Sequence, residues 1–77
     1  MKVEIDIHGL TEQMAIKTLE KFIVSCDKSI SEIVVIHGYH GGNALKDMVR
    51  NPNKLRSKKI RKRKLSLNQG ETILQLY

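Results

Sequence analysis

Two apolar, strand-like runs in this chain each end in a His-Gly pair, and a helix-like segment follows each pair. The first run is residues 3–7 followed by His8-Gly9, and the second is residues 33–36 followed by His37-Gly38. Strands joined through a helix lie parallel in a sheet, so both His-Gly pairs should fall at one sheet edge. Helix N-termini at that edge present unpaired N–H groups and partial positive charge, which favour phosphate binding. The pattern therefore predicts a site there, and the residues expected to meet in it are Asp6, His8, His37 and His40.

The length and composition allow one small domain. The chain has 77 residues, so we predict a single domain over 1–77 with a thin core, since a chain of about 60 residues buries only about 60% of its unfolded surface. It has no apolar run of about 18 residues that could span a membrane and no apolar signal segment at its start. The single cysteine, Cys26, cannot form an internal disulfide and is spaced to be a buried small hydrophobe. These features predict a cytoplasmic location; the oligomeric state stays open, with a monomer assumed.

Positive charge is concentrated in residues 54–64, which we call the basic segment. It holds eight Lys and Arg and no acid, whereas the rest of the chain has six cations against eight acids. A local excess of this kind is typical of a surface that binds a polyanion, so we predict contact with nucleic acid. The alternative is an edge strand whose charges prevent aggregation. The predicted phosphate contacts in the segment are Lys58, Lys59, Arg61, Lys62, Arg63 and Lys64.

Hydrophobic periodicity predicts the order β-α-β-α-β-β. The expected elements are a strand at 2–7, a helix at 12–26, a strand at 33–36, a short helix over 44–49 and strands at about 58–67 and 71–77. Thr11 is the predicted N-cap of the first helix, and Pro52 stops the second. In the basic strand Leu65 and Ile60 have opposite parity, which indicates a bulge or a late strand start. Right-handed crossovers place both helices on one sheet face if the strand order does not reverse, and on that basis we predict a two-layer α/β sandwich.

The residues at the shared edge suit phosphodiester hydrolysis. That reaction needs groups that move protons and groups that stabilise charge on the phosphoryl oxygens, and histidine suits the first role because its pKa lies near neutrality. Asp6 precedes His8 by two residues, so it could orient a histidine or hold a divalent metal. Glycines let a backbone approach a phosphate closely. The substrate-binding candidates at this edge are Gly9, Gly38, Tyr39, His40, Gly41, Gly42 and Lys46.

Each of these features also has a simpler interpretation. His8 could hydrogen-bond only to backbone at a strand end, and Asp6 could be a solvated residue on the open sheet face. Tyr39 could stack on a base or serve only in packing. Three histidines and one aspartate could also ligate zinc, although the chain has no cysteine pair to complete such a site.

Three motifs resemble the Smr (small MutS-related) domain family. Residues 6–11, Asp-Ile-His-Gly-Leu-Thr, resemble the Leu-Asp-Leu-His-Gly signature that opens this domain. Residues 36–46 are similar to its His-Gly-x-Gly loop and the start of its second helix, and residues 70–73 to its closing Gly-x-Thr-Val strand. In the loop, His40 has no clear counterpart, because Tyr39-His40 precede Gly41 where the family has one basic residue.

The resemblance implies a fold and an activity. The expected fold is a βαβαββ sandwich like the C-terminal domain of translation initiation factor three, with a mixed four-stranded sheet. The last strand would be antiparallel and inside the sheet, and the basic strand would form an edge. Family members are associated with nicking of DNA and endonucleolytic cleavage of RNA. By resemblance, Asp6, His8, His37 and Gly38 would belong to the site; the metal stays open, with Mg²⁺ or Mn²⁺ as candidates.

Two hypotheses remain at this point. The first is an endonuclease that nicks DNA or structured RNA, with Asp6, His8 and His37 as catalytic residues. In this hypothesis His37 reacts, supported by Asp6 and His8, because it ends an interior strand that holds it rigidly. The second is a module that binds branched or structured nucleic acid without cutting it. The basic segment fits both.

Overall fold

The computed structural model describes residues 1–38 and 42–77, and these contain six elements in the predicted order. They are β1 (Lys2–Asp6), α1 (Glu12–Ser25), β2 (Glu32–Ile36), α2 (Ala44–Arg50), β3 (Ile60–Leu65) and β4 (Glu71–Leu76). The side chain of Thr11 accepts a hydrogen bond from the backbone N–H of Met14, which confirms it as the N-cap of α1. The largest difference from the expected bounds is in β3, which is shorter at both ends than the run at about 58–67.

The four strands form one mixed sheet in the order β1-β2-β4-β3. β1 and β2 are parallel neighbours, whereas β4 lies inside the sheet and is antiparallel to both β2 and β3. The basic segment therefore supplies an edge strand, as the family resemblance implies. The carboxyl ends of β1 and β2 meet at one edge, where the backbone N–H of Ile7 donates to the carbonyl of Ile36 at 2.9 Å.

Both helices cover the same face of the sheet and share one core with it. Buried apolar side chains come from α1, from α2 and from the covered face of the strands. The principal ones are Ala15, Leu19 and Ile23 of α1, Met48 and Val49 of α2, and Ile33, Val35 and Leu74 of the sheet. This arrangement confirms the two-layer α/β sandwich. Cys26 also belongs to this core, as expected. Among the described residues, no helix has the length and apolar character needed to cross a membrane.

The outer and inner strands differ in how they expose their side chains. In β1, Lys2, Glu4 and Asp6 are exposed on the open sheet face, while the two residues between them pack towards the core. The centre of β2 is buried throughout: Ile33 and Val35 belong to the core, and Val34, on the open face, is 7% exposed between its neighbours on β1 and β4. In β4 every second residue is buried, and the first of these buried residues is Thr72, which is fully buried.

A register shift divides the basic strand. Ile60 is opposite Leu76 of β4, but Lys62 is opposite Gln75, so Arg61 is an extra residue at an irregularity in the pairing. This confirms the change of parity that the sequence predicts. Beyond it, Lys62 lies on the open face and Arg63, opposite Leu74, faces the helices.

Candidate functional site

Asp6 and His8 form an exposed pair at the end of β1. Oδ1 of Asp6 accepts a hydrogen bond from the backbone N–H of His8 at 3.0 Å and lies 2.5 Å from Nδ1 of its ring. A carboxylate only accepts, so Nδ1 carries the proton, and Nε2 of the neutral ring has the free lone pair. The two side chains are 49% and 70% exposed, respectively. A ligand at this edge can therefore reach the basic nitrogen of His8.

The hydrogen bonds to Asp6 also favour its ionised form. The bond from the His8 side chain, followed by the bond from the His8 backbone, lowers the pKa of the Asp6 carboxyl below its ordinary value. The carboxylate is therefore charged at neutral pH and remains an acceptor for the His8 ring.

The two His-Gly pairs lie side by side, as the sequence predicts. A Cβ added to Gly38 would lie 3.5 Å from Cβ of His8. Gly38 has φ +76° and Gly9 has φ +82°, a backbone conformation that other residues rarely adopt. A cleft opens beside these residues, and its walls are residues 8–12, residues 36–38 and the start of the second helix with Gly42, Ala44 and Leu45.

His37 lines this cleft but is 5% exposed and bonded through both ring nitrogens. Nδ1 lies 2.8 Å from the carbonyl oxygen of Gly38, and Nε2 lies 2.9 Å from Oγ1 of Thr72. Because a carbonyl only accepts, Nδ1 carries the proton, and Nε2 of the neutral ring accepts from the Thr72 hydroxyl. Thr72 Oγ1 in turn accepts from Nε of Arg50 at 2.9 Å. The result is a directed chain of hydrogen bonds from Arg50 through Thr72 and His37 to Gly38.

These hydrogen bonds hold His37 away from Asp6, and its predicted catalytic role stays a prediction. The Asp6 side chain lies on the open face of the sheet and bonds to His8, whereas His37 bonds to Thr72 on the helix-covered face. Of the two histidines, Asp6 therefore orients His8. A buried imidazole with both nitrogens bonded must break a bond before it exchanges a proton with a ligand. The exposed imidazole of His8 needs no such step.

Sequence reasoning missed Thr72 and Arg50. A signal for Thr72 was present, because it shares the parity of the buried residues Leu74 and Leu76 and is the one polar member of that row. A hydroxyl at a core position indicates a hydrogen-bond partner inside the protein. Nothing in the sequence indicates that Arg50 is the donor to that hydroxyl.

Two cations of the basic segment bind backbone carbonyls of the helical layer. Lys59 Nζ donates to the carbonyls of three residues at the end of α1, at 2.6–3.2 Å. Arg63 donates from Nε to the carbonyl of Val49 at 2.8 Å and from Nη2 to that of Leu55 at 2.5 Å. Partial burial lowers the pKa of the Arg63 guanidinium. Both side chains therefore hold the edge strand to the helices rather than pointing at a ligand.

The other four predicted phosphate contacts are more available than these two. Lys64 Nζ lies 3.5 Å from Oε2 of Glu32 on the open face. Lys58, Arg61 and Lys62 are exposed, and none has an ion pair within the described parts of the chain. Three of the six predicted phosphate contacts thus remain fully accessible.

The other predicted site residues divide into two groups. Gly9, Gly38 and Gly42 line the cleft, but Lys46 lies on a separate groove on another side of α2. The predictions for Tyr39, His40 and Gly41 lie outside the described residues.

The described residues do not form a complete metal site. Within residues 1–38 and 42–77, no three His, Cys, Asp or Glu side chains are grouped as metal ligands. Asp6 brings one carboxylate to the edge, and its Oδ1 is bonded to His8. The contacts of the Asp6 carboxylate in the described part of the chain are to His8, and a metal role for Asp6 stays a prediction.

Comparison with known proteins decides the family. The family model of the Smr domain matches residues 5–72. The chain belongs to the Smr domain family. The crystal structure of the Smr domain of Thermus thermophilus MutS2 is similar to it, with 23% identity, a TM-score of 0.80 and coverage of 96% of each chain. At that identity the likeness shows the fold. A comparison with curated proteins gave no match.

Proposed function

We propose that this Smr domain is an endonuclease that binds DNA or structured RNA and nicks its backbone at the Asp6–His8 pair. The observation that carries the proposal is the hydrogen bond between Asp6 Oδ1 and His8 Nδ1, which leaves an exposed Nε2 beside a glycine-lined cleft. An exposed histidine oriented by a carboxylate is a suitable general base.

The proposed reaction is hydrolysis. Nε2 of His8 takes a proton from a water molecule as its oxygen bonds to phosphorus, and the Asp6 carboxylate stabilises the imidazolium. The bond from phosphorus to the leaving oxygen breaks, and solvent, which reaches this exposed edge, protonates that oxygen. A Cβ at Gly9 would meet nothing within 4 Å, so the backbone there leaves open space for a phosphate.

Binding is assigned to the exposed cations of the edge strand. β3 runs parallel to β1 and β2, so its carboxyl end lies at the sheet edge that holds His8. Lys58 precedes β3 and so lies at the end of the sheet away from His8. Arg61 and Lys62 lie between the two ends of the sheet. β1 and β3 are three strand spacings apart, about 14 Å. A nucleic acid that contacts both must therefore lie across the sheet.

One observation favours the second candidate, a module that binds nucleic acid without cutting it. Both ring nitrogens of His37 are occupied inside the protein, so the described cleft presents one accessible imidazole rather than two. Hydrolysis of a phosphodiester commonly uses both an acid and a base. In this alternative the Asp6–His8 pair would only shape the edge that meets the phosphate.

The two candidates are separated by incubating the purified protein with supercoiled plasmid and with a structured RNA. Each substrate is tested in EDTA, in Mg²⁺ and in Mn²⁺, with a parallel gel-shift assay. The proposal expects conversion to nicked plasmid, or discrete RNA products, in at least one condition. Binding in the gel shift without products in any condition would instead establish the second candidate.

A further inference from the structure

A second groove lies between α2 and the turn that joins β3 to β4; we call it the α2–hairpin groove. It differs from the cleft at His8 in its lining, which combines cationic, amide, hydroxyl and apolar side chains. The lining residues are Asn43, Lys46, Arg50, Leu65, Ser66 and Gln69. Of these, only Lys46 was indicated by the sequence.

The cations of this groove come from one side of the second helix. Asn43, Lys46 and Arg50 are spaced i, i+3 and i+7, so they project on one helix face. Within the described residues, neither cation has a carboxylate partner. Nε of Arg50 is held by the buried hydroxyl of Thr72, which leaves the two terminal nitrogens of the guanidinium to donate to a ligand. A guanidinium anchored in this way loses little conformational entropy when it binds a phosphate.

The opposite wall of the groove is apolar and polar rather than charged. Leu65 is 73% exposed although it belongs to a strand, and Leu67 at the turn is fully exposed. Ser66 and Gln69 supply a hydroxyl and an amide beside Leu65. A single exposed leucine is ordinary by itself, but Leu65 lines the same groove as Lys46 and Arg50 and so places an apolar surface beside two cations.

These chemistries match the parts of one nucleotide. Cations suit the phosphate, amides suit the hydrogen-bonding edge of a base, and an exposed leucine suits the apolar face of the ring. In a duplex that face is stacked on its neighbours, so an apolar wall can contact it only where the strand is unpaired or splayed.

We propose that the α2–hairpin groove binds an unpaired nucleotide of the substrate, which makes the domain selective for nucleic acid that contains single-stranded segments. This inference rests on the proposed nucleic-acid binding, and it adds the class of substrate. The position of the groove supports it. Ala44 and Leu45 at the start of α2 line the cleft, and Lys46 lines the groove. A strand that passes over this first turn therefore runs from the groove to the Asp6–His8 edge.

The test compares a fluorescein-labelled single strand with the blunt duplex of the same sequence by fluorescence anisotropy at several salt concentrations. Lys46→Gln removes a cation from the groove, and Leu65→Ser removes its apolar wall. Lys28→Gln is the matched control, because it removes the same charge from an exposed loop at the opposite sheet edge. Thermal melts of each variant establish that it is folded.

The wild-type protein should bind the single strand more tightly than the duplex. Relative to Lys28→Gln, Lys46→Gln should weaken single-strand binding and reduce the log–log salt slope by about 0.7, the loss of one phosphate contact. Leu65→Ser should weaken single-strand binding roughly several-fold. It should change neither the log–log salt slope nor the affinity for the duplex.

The outcomes separate this inference from the function on which it rests. If the wild-type protein binds neither nucleic acid, both proposals are overturned. If it binds but prefers the duplex, or if Lys46→Gln and Leu65→Ser bind the single strand as Lys28→Gln does, only the groove inference is overturned.

Discussion

The hydroxyl oxygen of Thr72 lies 2.9 Å from Nε2 of His37, and this contact decides which histidine of the site is accessible. The same oxygen accepts from Nε of Arg50. One buried hydroxyl thus joins β4, the end of β2 and the last turn of α2. It orients His37 in the wall of the cleft, so His8 is the exposed imidazole among the described residues of the site.

Removal of this hydroxyl should destabilise the protein. Thr72→Val keeps the shape of the side chain but leaves Nε2 of buried His37 without a partner. It also removes the acceptor of the hydrogen bond from Nε of Arg50. The free energy of unfolding should fall by about 1–3 kcal/mol, as for other buried polar groups left unpaired. Urea denaturation measures it. Thr18→Val is the matched control, because the Thr18 hydroxyl has no hydrogen bond to the described residues; equal effects of the two changes would contradict the account.

The sequence predicts the elements well but not the face that His37 occupies. The alternation in β1 shows that Asp6 faces away from the core, because β1 is an edge strand with one buried face. Residues 33–35 of β2 are all buried, so their pattern has no alternation and carries no information about parity. The position of His37 on the helix-covered face therefore had to come from the structure.

The basic segment shows a second limit of sequence reasoning. Eight cations in one run predict a charged strand, and the structure confirms one at the sheet edge. Which cations are free depends on carbonyls that are distant in the chain: Lys59 bonds to Ile23, and Arg63 bonds to Val49. No local pattern separates these two from their neighbours.

Two adjacent lysines of the segment should behave differently when each is replaced by methionine. Lys59→Met removes a cation from the carbonyls at the end of α1 and should lower the free energy of unfolding by about 1–2 kcal/mol. Lys58→Met removes an exposed cation and should leave stability unchanged while weakening nucleic-acid binding. Thermal melts and anisotropy titrations of both variants provide the measurement. The assignment fails if Lys58→Met is the more destabilised variant.

The exposed cations near the middle of the edge strand should determine the salt dependence of binding. Each phosphate contact on duplex DNA contributes about −0.9 to the log–log slope, so Arg61→Gln combined with Lys62→Gln should reduce its magnitude by about 1.8. The loss should be similar for unrelated sequences, because phosphate contacts carry no base readout. An unchanged slope would support the alternative, in which the charges of the basic segment only prevent aggregation at the edge strand.

The Asp6–His8 bond should be visible in the titration of Asp6. Its pKa is lowered in the folded state by the hydrogen bonds from His8, so the bonds stabilise the fold above the ordinary carboxyl pKa and are lost as the pH falls through the folded value. His8→Ala removes the side-chain bond and should raise the pKa of Asp6 towards its ordinary value. Carboxyl-carbon NMR measures both titrations; identical curves would show that the bond is absent in solution.

The most direct test of the proposed activity is the initial rate of backbone cleavage by His8→Gln, compared with the wild-type protein under the condition that gives most product. Loss of the general base should lower the rate by about 10²–10⁴-fold, while affinity measured by anisotropy stays close to that of the wild type. Asp6→Asn should also lower the rate, since the ring loses its charged partner. Cleavage by His8→Gln at the wild-type rate would contradict the assignment of the reaction to the Asp6–His8 pair.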